Sequence, residues 1–175
     1  MVGDGSSSRQ FIADTSPLIY LAKIGALDAL RVGGPVLMTP GVCEEALLPP
    51  AAYRFPELVE IEAAIDRGLI EVTPLTTSEN EFAERIKTRV PALGRGEREV
   101  IAVSIGRTLD AVMFDRRARR VASALGASVV DMFEVIFRGT SDVELLEGRV
   151  RVLASLVDLR VGTLEELLEQ IGRRR

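Results

Sequence analysis

The 175-residue chain predicts an α/β domain, a central parallel sheet flanked by helices. Three observations predict it. Short apolar runs alternate with longer amphipathic stretches, the pattern of strands joined by crossover helices. Helix-start signals directly follow the first two runs: Ser16-Pro17 and Thr39-Pro40 each pair a capping hydroxyl with a proline fit for the first helical position. The chain is long enough for one core and shows no internal repeat or linker.

The elements follow in order. Phe11–Ala13 is the first strand, and the helix behind Ser16 presents Leu18, Leu21, Ala22 and Leu27 inward, with Gly25 as a break. Residues 35–38 form the second strand, and a helix runs from Pro40 through Leu48 until Pro49-Pro50 ends it. Residues 57–67 form an amphipathic helix stopped by Gly68, and 69–72 a strand ended by Pro74. Ser78 with Glu81 reads as a capping box for a helix reaching about Arg89. The Gly94-Arg95-Gly96 turn precedes a helix over 97–107. Residues 111–114 are a strand, 116–125 a helix closed by Gly126, and Ser128–Val130 the last strand. Ser141 with Glu144, and Thr163 with Glu166, predict two more capping boxes, so the chain after Asp131 is mostly helical. The expected division is a disordered tail over 1–9, a catalytic-size domain over 10–138, and a helical extension over 139–175 packed on it.

Composition narrows the chemistry. Histidine is absent, which excludes Ser-His-Asp and Cys-His mechanisms, imidazole bases and histidine zinc sites. Cys43 is the single cysteine, so no internal disulfide forms; with no apolar leader at the N-terminus, a cytoplasmic location is expected. No apolar run approaches the ~18–20 residues of a membrane span, and no membrane association is expected. Net charge is −4, yet only Lys23 and Lys87 are lysines among 22 basic residues. Arginine suits bidentate phosphate contacts, although a compositional bias explains the skew equally well.

The acids sort by position. In an open parallel sheet, ligands gather outside the carboxyl ends of the strands. Asp14 directly follows the first strand and Asp115 directly follows 111–114, so both should emerge on one edge. Asp110 and Glu71 fall at the opposite end or inside a strand. Glu97 opens a helix after a Gly-x-Gly turn, where the helix dipole favours a carboxylate. Glu45 lies on the first turns of the helix after the second strand and could point back at Asp14. Gathered acids repel one another, and a hard cation relieves the repulsion while activating water and stabilising a phosphate in transfer. Singly, each acid has a plain structural explanation: Asp14 as a turn residue, Glu97 as a dipole partner.

At these residues the sequence resembles the PIN-domain family. Four segments carry the likeness, over about residues 10–130: the strand with Asp14-Thr15-Ser16, the Pro40-Gly41-Val42-Cys43-Glu44-Glu45 segment, the run from Leu93 through Ala102, and the strand ending at Asp115 with the basic helix behind it. The resemblance implies a Rossmann-like PIN fold. It implies Mg²⁺ or Mn²⁺ held directly or through water by Asp14, Glu45, Glu97 and Asp115, with Thr15 and Ser16 supporting. It implies cleavage of RNA phosphodiesters; many prokaryotic members are toxins, so an antitoxin protein is a candidate partner. The third segment looks more like a poorly described prokaryotic PIN branch than like the VapC-like pattern, which carries aspartate where Glu97 stands. Glu99 is therefore the reserve third acid. Asp131 is either an extra acid of this edge or, the favoured reading, a helix cap.

Arg116, Arg117, Arg119 and Arg120 follow the acidic edge, with Arg95 and Arg98 near the third segment. They are either a solvated helix face or an RNA-binding rim. Aromatic residues make up 5% of the chain, so extensive base stacking is not indicated. The helical tail after Ser141 carries no motif and is a candidate dimer or partner surface; a homodimer is expected. Two rival functions come from other classes. A phosphoaspartyl enzyme with Asp14 as nucleophile needs a lysine after a late strand, and neither Lys23 nor Lys87 follows one. A catalytically silent PIN-like module would bind RNA or protein without cutting; metal-dependent cleavage of labelled RNA separates it from the enzyme.

Overall fold

The computed structural model describes residues 9–47 and 55–174. The predicted tail and the predicted helix end at Leu48 to Pro50 thus fall outside the described residues, apart from Arg9. Five strands form one parallel sheet: β1 (Phe11–Ala13), β2 (Val36–Met38), β3 (Ile70–Val72), β4 (Asp110–Val112) and β5 (Ser128–Val130), in the order β3-β2-β1-β4-β5. β1 pairs with β2 through Ile12 and Leu37, and with β4 in the register Ala13 to Val112. β1, β2 and β4 are buried throughout, as three-residue strands covered on both faces must be.

Among the described residues there are nine α-helices, six between strands and three after β5: α1 (Thr15–Lys23), α2 (Pro40–Leu47), α3 (Pro56–Asp66), α4 (Thr77–Arg89), α5 (Arg95–Arg107), α6 (Arg116–Ala124), α7 (Met132–Gly139), α8 (Val143–Leu156) and α9 (Val161–Gly172). From β1 the chain steps to β2 and β3, then crosses back to β4 and β5. Right-handed crossovers on the two sides therefore place helices on opposite faces. α1 packs on α3, and α4 packs on α5. No helix among the described residues is long and apolar enough to cross a membrane.

Local details depart from the predicted caps. α1 begins one residue before Ser16, with Asp14 in the cap position and no side-chain cap bond. α4 is capped by Thr76 and Glu79 rather than Ser78 and Glu81, because Glu79 is buried beneath Arg107 and its other bonds follow from that. α8 is capped by Asp142, whose carboxylate accepts from the Leu145 N–H at 2.7 Å. α9 starts behind Arg160 with no side-chain cap, so Thr163 lies inside the helix. β4 begins and ends earlier than predicted, leaving Met113 and Phe114 as a connection into α6.

The C-terminal helices share the core of the sheet. Leu146, Val150, Leu153 and Ile171 belong to the same cluster as Leu18, Ala29 and Ile136. Buried Arg149 fastens α8 to the end of α1: its guanidinium donates to Asp28 at 2.5 Å, the Gly25 carbonyl at 3.1 Å and Thr140 at 2.8 Å. α7 lies against the short 3-10 turn Leu27–Leu30 so closely that a β-carbon at Gly139 would stand 2.0 Å from the Ala29 carbonyl oxygen. Backbone cannot yield there as a side chain would. Gly139→Ala is expected to lower the free energy of unfolding by at least about 2 kcal/mol, read from urea denaturation.

Candidate metal centre

Backbone topology brings the acids together. β1 and β4 diverge in their onward connections, so the crevice beyond their carboxyl ends is the switch point of the sheet. Asp14 follows β1 there, with its N–H donating to the Val112 carbonyl at 3.0 Å. Asp115 lies three residues past Val112 and caps α6, one oxygen accepting from the Arg117 and Ala118 N–H groups at 2.8 Å. Glu97 sits in the first turn of α5 and accepts from the Gly94 N–H at 2.7 Å. Glu45 reaches from α2 across to both neighbours, accepting from the Thr15 hydroxyl at 3.0 Å and from the Gly96 N–H at 3.0 Å.

Electrostatics identifies the centre of this group as Asp14. It is 5% exposed, and its carboxyl is pushed from the ordinary 3.8 to about 7. Burial is the largest cause; the Thr15 backbone N–H opposes it, and the charges of Glu97, Glu45 and Asp115 all add to it. Glu97 is also raised, first by burial and then by Asp115 and Glu45, against the Gly94 N–H and the Arg117 guanidinium. The four acids therefore sense one another from four separate elements.

The donor chemistry fits a hard divalent cation. It consists of carboxylate oxygens, with one buried acid whose charge is unfavourable unless a cation balances it. Among the described residues no three Asp, Glu or Cys side chains form a ready-made metal cage. Protein N–H and hydroxyl donors hold Glu45, Glu97 and Asp115 in place instead.

The remaining predicted residues divide. Thr15 touches the cluster through Glu45, whereas Ser16 is exposed and opens toward a groove beside Asp115. Glu99 lies elsewhere: it is buried, and its carboxylate accepts from the Gly41 N–H at 2.8 Å and from Arg95 at 2.7 Å. Two positions along a helix rotate a side chain by about 200°, so Glu97 and Glu99 face opposite ways. Arg95 is held between Glu99 and Glu44, the latter at 2.5 Å, and is not turned toward a substrate. Asp131 caps α7, accepting from the Glu134 N–H at 2.9 Å, with Arg119 nearby at 3.8 Å. Arg117 faces Glu97 closely enough to influence its titration. Arg116 and Arg119 line the groove, and Arg120 is exposed.

The sequence matches the family model of DUF3368, described as a PIN domain, over residues 10–173. The chain belongs to the PIN-domain family. The match reaches through α9, so the C-terminal helices are part of this PIN domain's family pattern. No curated protein matches the chain. The fold is that of a nuclease family.

Asp14 makes stability depend on pH in a defined direction. The unfolded chain ionises this carboxyl near 3.8 and the folded protein only near 7, so the folded state holds the extra proton between them. Wild type should lose stability as pH rises through that window, by on the order of 4 kcal/mol at most. Asp14→Asn should melt higher than wild type at pH 8 in EDTA, and the gap should close toward pH 4. A gap that did not change with pH would show that Asp14 is not the buried, repelled acid described.

Proposed function

We propose that this PIN domain is a metal-dependent ribonuclease that hydrolyses RNA phosphodiesters at the Asp14 edge. The observation that carries the reading is a buried acid raised by three others, each delivered by a different element to the switch point of the sheet. Asp14, Glu45, Glu97 and Asp115 would hold Mg²⁺ or Mn²⁺, directly or through water. The cation would supply charge stabilisation for the phosphate and a more acidic water.

The chain's own residues do the rest. Asp14, at the end of a rigid central strand, gives the site a fixed origin. Thr15 and the Gly96 N–H aim Glu45 inward, and the Gly94 N–H aims Glu97. Arg117 is placed to offset negative charge beside Glu97 when a phosphate arrives. The reducing cytoplasm suits its single thiol, Cys43. A toxin role follows where a neighbouring gene encodes a small DNA-binding partner.

One observation favours the silent module: among the described residues no three acids form a ready-made cage, and two are engaged as a cap and a strut. Cleavage of labelled RNA with added Mg²⁺ or Mn²⁺, against EDTA, decides between them. Asp14→Asn and Glu97→Gln should each cut cleavage by about a hundredfold or more. Glu99→Gln should lower the melting temperature yet keep cleavage within about tenfold of wild type, since the amide oxygen can still accept from the Gly41 N–H and only the Arg95 ion pair is lost. Wild-type cleavage by Asp14→Asn with the same metal would remove Asp14 from the site.

A further inference from the structure

A groove of about 1290 Å³ opens beside the carboxylate edge. Its near end includes Ser16 and Asp115; its outer wall is built by α9 and the turn before it. Small-molecule sites run to about 300–1,000 Å³, so this space suits an extended chain better than a compact ligand. Two features of its lining point to the class of that chain.

The first is charge. Arg116, Arg119, Arg160 and Arg174 all face the groove. Arg116 and Arg160 have no ion-pair partner among the described residues, and Arg119 has only a long, half-exposed contact to Asp131. Such a contact is worth little and is readily exchanged for a phosphate. Arg138 is different, being bound to buried Asp110 at 2.6 Å. Of the groove's four acids, Glu134 is paired with Arg138, Asp115 caps α6 and Asp131 caps α7, leaving Asp158 without such an engagement.

The second is the placement of aromatic surface. The chain has six phenylalanines, and three of them, Phe114, Phe133 and Phe137, line this one groove. Phe114 is 38% exposed directly before Asp115, and the Tyr20 ring backs it at 5.2 Å between centroids. Arg174 lies over the Phe137 ring at 5.0 Å and donates to the Phe137 carbonyl at 2.9 Å. A guanidinium held beside a ring in this way can itself serve as a platform for a base. Overall scarcity of aromatics thus hides a local concentration.

We propose that this groove seats the single RNA strand on one side of the scissile phosphate, with the C-terminal extension as its outer wall. Phosphates run along the arginines, and unpaired bases stack on Phe114 and on the Arg174 guanidinium. The bases must be splayed out to reach these platforms, which a duplex forbids. The proposal rests on the nuclease reading only for which bond is cut; the groove's occupancy by RNA is separately measurable.

The test is binding of a fluorescent single-stranded RNA to full-length Asp14→Asn protein, followed by anisotropy against salt. Arg160→Ala/Arg174→Ala on that background should weaken binding about tenfold and flatten the dependence of log Kd on log salt by about 1.4, two phosphate contacts at about 0.7 each. Both residues are exposed, and unchanged circular dichroism and melting would establish that the variant folds. Arg160→Lys/Arg174→Lys should recover most of the salt dependence but less of the affinity, because lysine offers no stacking plane. In the otherwise wild-type protein, the alanine pair should raise KM for a long RNA while leaving hydrolysis of bis(p-nitrophenyl) phosphate unchanged. Equal RNA affinity with and without the two arginines overturns the proposal even if the protein cleaves RNA; a groove that takes a protein segment instead gives that result. Equal affinity for duplex and single strand also overturns it. Loss of binding in the alanine pair, with no cleavage under either metal, upholds the groove and removes the nuclease reading.

Discussion

Two glutamates exchanged between α2 and α5 hold the rest of the site in place. Glu45 of α2 accepts from the Gly96 N–H near the start of α5, and Glu99 of α5 accepts from the Gly41 N–H near the start of α2. Each carboxylate thereby satisfies an orphan donor in the first turn of the other helix and meets the positive end of its dipole. Each needs the absence of a side chain opposite. A β-carbon at Gly41 would lie 2.7 Å from a Glu99 oxygen, and one at Gly96 would lie 2.9 Å from a Glu45 oxygen. The exchange locks the two helix starts against each other; Glu45, further along α2, and Glu97, in the first turn of α5, then reach the edge where β1 and β4 deliver Asp14 and Asp115.

That lock explains how four acids coexist. Their mutual repulsion is spread over four elements whose positions are set elsewhere: by the pairing of β1 with β2 and β4, by the core beneath α1, and by the exchanged glutamates. Glu45, Glu97 and Asp115 each accept N–H donors that partly offset their charge. Asp14 has burial without enough compensation, and its carboxyl carries the strain as a pKa of about 7. A buried acid with so little compensation is favourable only with its proton retained or with a cation beside it. Glu99 is a buried acid with direct partners, the Arg95 guanidinium and the Gly41 N–H, and it faces away from this edge.

The extension beyond β5 gives this PIN domain a second surface. Arg149 and the Gly139 contact bind α7 and α8 to the α1 side of the core. α9 then returns to stand across from Phe114 and Asp115. The space between is lined by arginine and phenylalanine as well as acids, and it meets the carboxylate edge at Asp115.

Much of this was legible from sequence because it depends on local chemistry. Strand positions, the parallel order implied by crossovers, the edge shared by Asp14 and Asp115, and the cap at Asp131 all follow from short-range patterns and one rule of sheet topology. Absence of histidine limited the chemistry before any fold was known. What stayed open involved choices between locally equivalent residues. Thr76 with Glu79 and Ser78 with Glu81 both satisfy the capping pattern; burial of Glu79 against Arg107 selects the first. Helical rotation dictates that Glu97 and Glu99 cannot both face the edge, but the Gly41 N–H on another helix decides which one does. Likewise no window of sequence joins Phe114 to Arg174, sixty residues apart and brought to one groove by α9. Sequence by itself determined the elements and the chemistry they carry; tertiary packing decided which of several equivalent side chains each site received, because burial and backbone donors are contributed by segments far away in the chain.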